Sequence, residues 1–379
     1  MLELGPGNVI AYLRNAGHLH PDVAARAELL PGGVSNLVLR IRTEGGPGFV
    51  VKQARRRLRT EADWFSRLDR IWREAEAMQS WSGCVPPGFI PRVLFEDRQN
   101  YTFAMEAVAD GHVVWKQELL SGRCDAEVAS QIGCVVQEMH HSTCSADNED
   151  CDANEYCRRF GDRTVFTELR IDPFYRRVAE SHAGIRPAIA NLIEEVAETA
   201  FCLVHGDLSP KNVLIVRGST TPEYDEWFDG RAGASTTHPR LTLVDYEVAH
   251  FGDAAFDVGF FLSHLMLKAV RRPDRCRDFT GLANAFWHSY QRSAHARWAD
   301  GERRLPAAEP AQIERRSLRH LAACMLARID GTSRIDYLPE PGQQEFVRQF
   351  SRQVLLDRPL RLAEVLERLE NRLNHVCGT

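Results

Sequence analysis

The rhythm of apolar and polar positions changes twice along this chain. A short helical pattern (Val9, Ile10, Leu13) leads to a turn at Pro31-Gly32-Gly33, and then to two strand-like runs, Leu37 to Ile41 and Phe49 to Val51. The Glu44-Gly45-Gly46-Pro47-Gly48 stretch between them predicts a hairpin-type connection, since glycine and proline punctuate pairing there. A long helical stretch is expected from about Glu61 to Gln79, with Trp64, Phe65, Leu68, Ile71 and Trp72 as its apolar stripe. Pro86-Pro87-Gly88 breaks that pattern, and two further strands are expected at Arg92 to Phe95 and Tyr101 to Ala107.

From Gly111 onward helical spacing dominates, with one β-rich island inside it. Phe201 to Val204, Val213 to Val216 and Leu241 to Val244 are short apolar runs, the last two separated by a polar insert from Arg217 to Arg240. Strands with one helix first, and helices afterwards, predict an α+β fold with a small sheet region followed by a larger, mainly helical one.

Composition narrows this picture. The chain has 379 residues, 44% hydrophobic and 26% charged, with a formal charge of −5. That is ordinary globular composition, and it argues against a general nucleic-acid binder. The first residues show no cationic segment followed by an apolar run, and no stretch approaches the ~18 apolar residues of a membrane helix. The ten cysteines are scattered, so reduced thiols in a cytoplasm are expected. His140, His141, Cys144, Cys151 and Cys157 have no tight metal-ligand spacing, and the acidic residues around them (Asp147 to Glu155) read as a solvated loop.

The island carries the candidate chemistry. Asp207 and Asn212 share one loop between two apolar strands, and Asp245 ends the next strand. Phosphoryl transfer needs an acceptor hydroxyl held in line, a base for its proton, and cations on the phosphate oxygens. Asp207 suits the base, while the neutral amide oxygen of Asn212 and the carboxylate of Asp245 suit a magnesium ion. Glu247 lies two residues on, so an extended Asp-x-Glu segment would put both carboxylates on one side. Taken singly, Asp and Asn are also ordinary turn formers.

Leu203-Val204-His205-Gly206-Asp207-Leu208-Ser209-Pro210-Lys211-Asn212-Val213-Leu214-Ile215 resembles the catalytic loop of the aminoglycoside phosphotransferase, choline kinase and methylthioribose kinase superfamily. Val244-Asp245-Tyr246-Glu247 resembles its metal-binding segment, and Gly252-Asp253-Ala254-Ala255-Phe256-Asp257 the helix start that follows, where the aspartate matching Asp257 braces the loop. The resemblance implies a two-lobed, protein-kinase-like fold. Residues 1–107 would form a nucleotide-binding N-lobe, and 108–379 a C-lobe with the catalytic loop and acceptor site. It implies ATP and Mg2+ as cofactors, with a small hydroxyl compound as partner and no nucleic acid or membrane.

The resemblance also points to sites in the first lobe. Leu30-Pro31-Gly32-Gly33-Val34-Ser35-Asn36 is similar to the phosphate-covering loop, giving Gly32, Gly33, Ser35 and Asn36 as nucleotide contacts. Lys52 matches the lysine that grips the α- and β-phosphates. A helix glutamate would orient it, with Glu74 preferred over Glu76 and Glu61. Met105-Glu106-Ala107-Val108 resembles the hinge whose main chain meets the adenine, so Glu106 and Val108 are assigned there. His205 and His140 are expected to be scaffold. Ala327 to Ser333 either lines the acceptor pocket or is a helix end capped by Gly331.

The stretch between Asp245 and Asp257 is too short for a protein kinase's activation loop, so a small-molecule acceptor is expected: an aminoglycoside, a sugar such as methylthioribose, or an amino alcohol. A nucleotide-binding pseudokinase without turnover is the alternative.

Overall fold

The structure, a computed structural model, describes residues 1–30, 35–56, 66–144, 154–218, 221–228, 238–299 and 309–377. The turn residues Pro31 to Val34 and the helix candidates Glu61, Trp64 and Phe65 lie outside them.

The N-terminal region is a 5-stranded antiparallel sheet in the order β1-β2-β3-β5-β4. Its strands are β1 (Ala25–Leu29), β2 (Asn36–Thr43), β3 (Phe49–Ala54), β4 (Val93–Asp97) and β5 (Thr102–Glu106). Side chains alternate across a strand, and β3 uses both faces. Val51 packs with Leu37, Leu39 and Ile41 against helix α1 (Val9–Asn15). Val50 and Ala54 instead join the core shared with helix α2 (Arg70–Trp81). Lys52 falls on this second face, opposite Val38 of β2. The hairpin expected between the first two predicted strands is the β2–β3 connection. At its end Gly48 has φ +66, and a Cβ there would sit 2.4 Å from the Ile41 carbonyl oxygen.

Two expectations need correcting. Strand β1 was not foreseen, because Ala25-Arg26-Ala27-Glu28-Leu29 is a short edge strand whose apolar positions are two small alanines and an exposed leucine, held partly by the Arg42–Glu28 ion pair at 3.0 Å. The helix expected from Glu61 begins only at Arg70 within the described residues. Side chains capture the segment before it: Ser66 Oγ donates to Glu168 at 2.7 Å, and the buried Arg70 guanidinium donates to the Ser66 and Arg67 carbonyls.

The C-terminal part is mostly helical. The Ala254–Arg271 helix is buried at every position from Ala254 to Val270, as a helix at the centre of a core must be. It packs on the Pro310–Asp330 helix, and the Ala126–Ser142 helix packs on the Cys276–Ala299 helix. Glycine brings both pairs into close contact: a Cβ on Gly259 would lie 2.4 Å from Ser317 O, and one on Gly133 2.2 Å from Phe286 O.

The island forms two small sheets, one of β6 (Val113–Val114), β8 (Val213–Val216) and β9 (Arg240–Leu243), the other of β7 (Cys202–Val204) and β10 (His250–Gly252). The polar insert contains an unforeseen short helix, Pro222–Phe228, anchored by buried Tyr224, whose hydroxyl accepts from Leu241 N at 2.9 Å. Cys84, Cys124, Cys134, Cys144, Cys202, Cys276 and Cys324 are reduced thiols as expected, while Cys157, against that expectation, is disulfide-bonded. Among the described residues no helix is long and apolar enough to cross a membrane.

Replacing Gly133 with Ala should force the two helices apart. A loss of roughly 1–3 kcal/mol, the usual cost of overpacking, is expected in urea denaturation, with little change at the exposed Gly184, where an added methyl meets nothing.

Candidate functional site

The loop between β7 and β8 hangs from one buried carboxylate. Asp257, in the first turn of the central helix, accepts the backbone N–H of His205 at 2.7 Å and of Gly206 at 2.8 Å, and meets His140 Nε2 at 3.1 Å. These bonds hold the carboxyl below its usual range although burial works the other way. His205 is fixed from both ring nitrogens: Nδ1 accepts Asp207 N–H at 3.1 Å, and Nε2 lies 3.3 Å from the Val244 carbonyl. Burial lowers its pKa, so it sits neutral as a strut between the loop and the end of β9. Gly206 has φ +75, and a Cβ there would lie 2.5 Å from Val248 O, so no other residue fits without displacing the backbone. His140 is used up by Asp257 and Tyr290, and Cys151 lies outside the described residues.

Asp207 is buried, with a cation on each oxygen: Arg170 at 2.5 Å and Lys211 at 2.8 Å. Burial alone would raise its pKa, but these two cations, Arg170 first, carry it below the ordinary carboxylate range. Asn212 donates Nδ2 to the Asp207 carbonyl at 2.9 Å and carboxylate at 3.1 Å, which leaves its Oδ1 outside these bonds.

Asp245 follows β9 in a left-handed conformation, φ 76, rare for a non-glycine residue and concentrated at functional sites. Its Oδ1 accepts from Lys52 Nζ at 2.9 Å, and Oδ2 lies 4.0 Å from Lys211. Burial opposes its ionisation, but Lys52 and then Lys211 drive its pKa well down. Glu74 reaches Lys52, at 2.6 Å, and Glu61 lies outside the described residues. Burial pushes the Glu74 carboxyl up to about 7 against the pull of Lys52. Lys52 itself stays charged: burial favours its neutral form, but Asp245, Glu74 and Glu247 outweigh that.

The other candidates divide. Glu247 faces Arg70, 3.1 Å from its Nε, and accepts from Ser35 Oγ and Asn36 Nδ2. Both its oxygens are thus engaged, and a metal-ligand role would cost those bonds. The same knot takes up the side chains of Ser35 and Asn36. Glu106 pairs with Arg92 at 2.8 Å on the surface, and the Val108 carbonyl accepts from Arg40 at 2.9 Å. Gly32 and Gly33 lie outside the described residues.

A cleft of about 180 Å³ gathers Lys52, Glu106, Val108, Asn212 and Asp245. Its walls are apolar, Leu30, Val38, Val50 and Met105 from the sheet side and Leu214 and Val244 from the island. Such a slot suits a flat heterocycle between the walls and a charged tail at the Lys52 end. The donor set there, an amide oxygen and a carboxylate oxygen, has the hard character magnesium takes.

The profile described as "Phosphotransferase enzyme family" (APH) matches residues 26–221, more than half of the chain. The chain belongs to this phosphotransferase family. It is 25% identical over 288 residues to the methylthioribose kinase of Yersinia pseudotuberculosis serotype O:1b (strain IP 31758), a match covering 70% of this chain and 65% of that one. Among solved structures, an ethanolamine kinase of Plasmodium vivax matches with a TM-score of 0.50 and 11% identity, over 92% of this chain and 89% of the other. A choline/ethanolamine kinase family protein from Mesorhizobium loti matches with a TM-score of 0.46 and 16% identity, over 96% and 98%. The ethanolamine kinase match shows the fold of this phosphotransferase-family chain, the protein-kinase-like one, with its sheet region first and its helical part second.

Two residues central to this site were not singled out from the sequence. Lys211 was within reach, since it is part of the loop itself and lies one helical turn's spacing beyond Asp207. Arg170 was not: it sits mid-way in the π-helical Thr167–Arg176 segment, and its contacts to Asp207 and to Gly206 O (2.8 Å) arise only on folding.

Because Asp257 is depressed in the folded state, the stability it contributes is present above ~pH 4 and lost as pH falls through its folded value. An Asp257→Asn variant should lose roughly 1.5–3 kcal/mol at pH 7. Its stability should also fall less steeply than wild type on acidification below pH 4, measured by urea titration at several pH values.

Proposed function

We propose that this phosphotransferase-family chain transfers the γ-phosphoryl group of ATP, with magnesium, to a hydroxyl of a small molecule. The observation that carries this reading is the convergence of Lys52, Asn212 and Asp245 at the polar end of one apolar cleft, with Asp207 joined to Asp245 through Lys211. The division of labour follows, with residues 1–107 as a nucleotide lobe and 108–379 as the acceptor lobe.

In this reading the adenine lies between Val50 and Leu214, against the main chain at Glu106 and Val108, and the loop from Gly32 through Asn36 covers the phosphates. Lys52, steadied by Glu74, binds the α- and β-phosphates. Asn212 Oδ1 and Asp245 hold the magnesium, which neutralises charge on the phosphate oxygens when bound; Glu247 joins them only by giving up Arg70. Asp207 accepts the hydrogen bond of the acceptor hydroxyl. Its lowered pKa makes it a weak base, which suits a loose transition state: it orients the hydroxyl and takes the proton late, as the new O–P bond forms. Arg170 and the neutral His205 hold that carboxylate in place.

An Asp207→Asn variant should lose roughly 10²–10⁴-fold in phosphoryl transfer while retaining nucleotide affinity. Wild-type turnover in that variant would remove Asp207 from the proposal. Asp245→Ala should abolish magnesium-dependent nucleotide binding in calorimetry. Tight Mg-ATP binding by the wild type with no transfer to any hydroxyl compound would make the chain a nucleotide-binding module instead.

A further inference from the structure

Near Asp207, cations collect without matching acids. Arg170 grips Asp207, and its guanidinium lies 5.5 Å from the rings of both Phe174 and Phe260. Arg328 approaches the same Phe174 ring at 5.7 Å. Lys268 and Lys116 stand 5.3 and 5.5 Å from one ring, that of Tyr337. Lys116 is tied to the loop through its backbone N–H, which donates to Pro210 O at 2.9 Å.

This cluster is built rather than incidental. Lys268 is only 1% exposed, and the hydrogen bond it makes is to the His264 carbonyl in its own helix, at 3.0 Å. Arg328 donates Nη1 to Ser333, holding the segment after its helix, while its Nε is buried with no partner. His264 Nε2 and the Tyr337 hydroxyl are also buried without partners, in side chains about 95% enclosed. Among the described residues, the one carboxylate within ion-pair distance of Lys116, Lys268 or Arg328 is the exposed Asp336, 3.6 Å from Lys116. Burial, and then Lys116 and Arg328, push the Lys268 ammonium down to about 7. Like charges enclosed together with open donors are stabilised most by an anion among them.

We infer that the acceptor of this chain is itself an anion: a small polyhydroxyl compound carrying a carboxylate or a phosphate, bound through Arg328, Lys268 and Lys116 with a hydroxyl directed at Asp207. The inference rests on the phosphotransfer reading above. It makes cationic acceptors, such as aminoglycosides and amino alcohols, poor fits, because an ammonium group would add to the repulsion. The Pro310–Asp330 helix ends with Gly331 as its cap, its N–H donating to the Ala327 carbonyl at 2.9 Å, as one of the two expectations for Ala327 to Ser333 had it; in this inference Arg328 also turns that segment toward the acceptor.

The test compares acceptors of one shape and different charge. ADP release is measured with gluconate, glucitol and glucamine, and separately with ribose 5-phosphate and ribose, so that the carboxylate and phosphate arms are read apart. The anionic member of at least one set should exceed its neutral counterpart in kcat/KM by roughly 10-fold or more, with the amine lowest. Equal or better use of glucitol, ribose or glucamine overturns the inference while leaving phosphotransfer intact. In Lys116→Met and Arg328→Met the KM for the preferred anion should rise roughly 10–100-fold, with kcat changed much less and partial recovery in Arg328→Lys. Lys116 is part-exposed, so its variant keeps the test open if Arg328→Met fails to fold. If none of these probes is phosphorylated, binding decides the anion site. Gluconate, ribose 5-phosphate or inorganic phosphate should then raise the thermal midpoint of the wild type at millimolar concentration, and less so in Lys116→Met. No shift with any of the three overturns the anion site.

Discussion

Burying charge is the constraint around which this molecule is arranged. Glu74, Asp207, Glu247 and Asp257 are all nearly inaccessible, and Asp245 is only partly open. Isolated in a low-dielectric interior, each would be protonated or would unfold its surroundings. They persist because a donor is interleaved at every step: Lys52 between Glu74 and Asp245, Lys211 between Asp245 and Asp207, Arg70 on Glu247, and backbone N–H groups on Asp257. The result is a chain of alternating charges running from helix α2, through the sheet, to Asp207 and Arg170. Lys52 couples the sheet to the helical part by the same ion pairs that set its own charge.

This arrangement explains why the strands matter more for their ends than for their cores. Strands β7, β8 and β9 are only a few residues long, yet they fix where Asp207, Asn212 and Asp245 emerge. Positive φ at Gly206 and Asp245 turns the chain sharply just beyond the ends of β7 and β9. The strain at Asp245 is tolerated because its two oxygens are held by Lys52 and Lys211.

Local signals carried much of this into the sequence. The loop from His205 to Asn212 is contiguous, and β2, β3 and β5 contain apolar runs set off by turn residues, so the sheet-first, helix-second order and the main cluster were legible. Edge strand β1 was not, since its alternation rests on two alanines and one exposed leucine, too little apolar surface to mark a strand. The start of α2 was missed because Ser66 and Arg70 spend their bonds on residues far away in sequence. Glu247 read as a metal ligand because spacing says which side a carboxylate faces but not which cation waits there. Arg170 and Lys268 were invisible for the same reason: their meaning comes from the rings and carboxylates that other helices bring to them.

The glycine crossings at Gly133 and Gly259 have a consequence for how such a scaffold diversifies. Helices that touch through backbone atoms have no slack in which to spread or slide. The two helix pairs therefore cannot loosen to make room beside Asp207. A change of acceptor must be written in the side chains projecting from fixed axes, one size or charge at a time, while the axes keep their places.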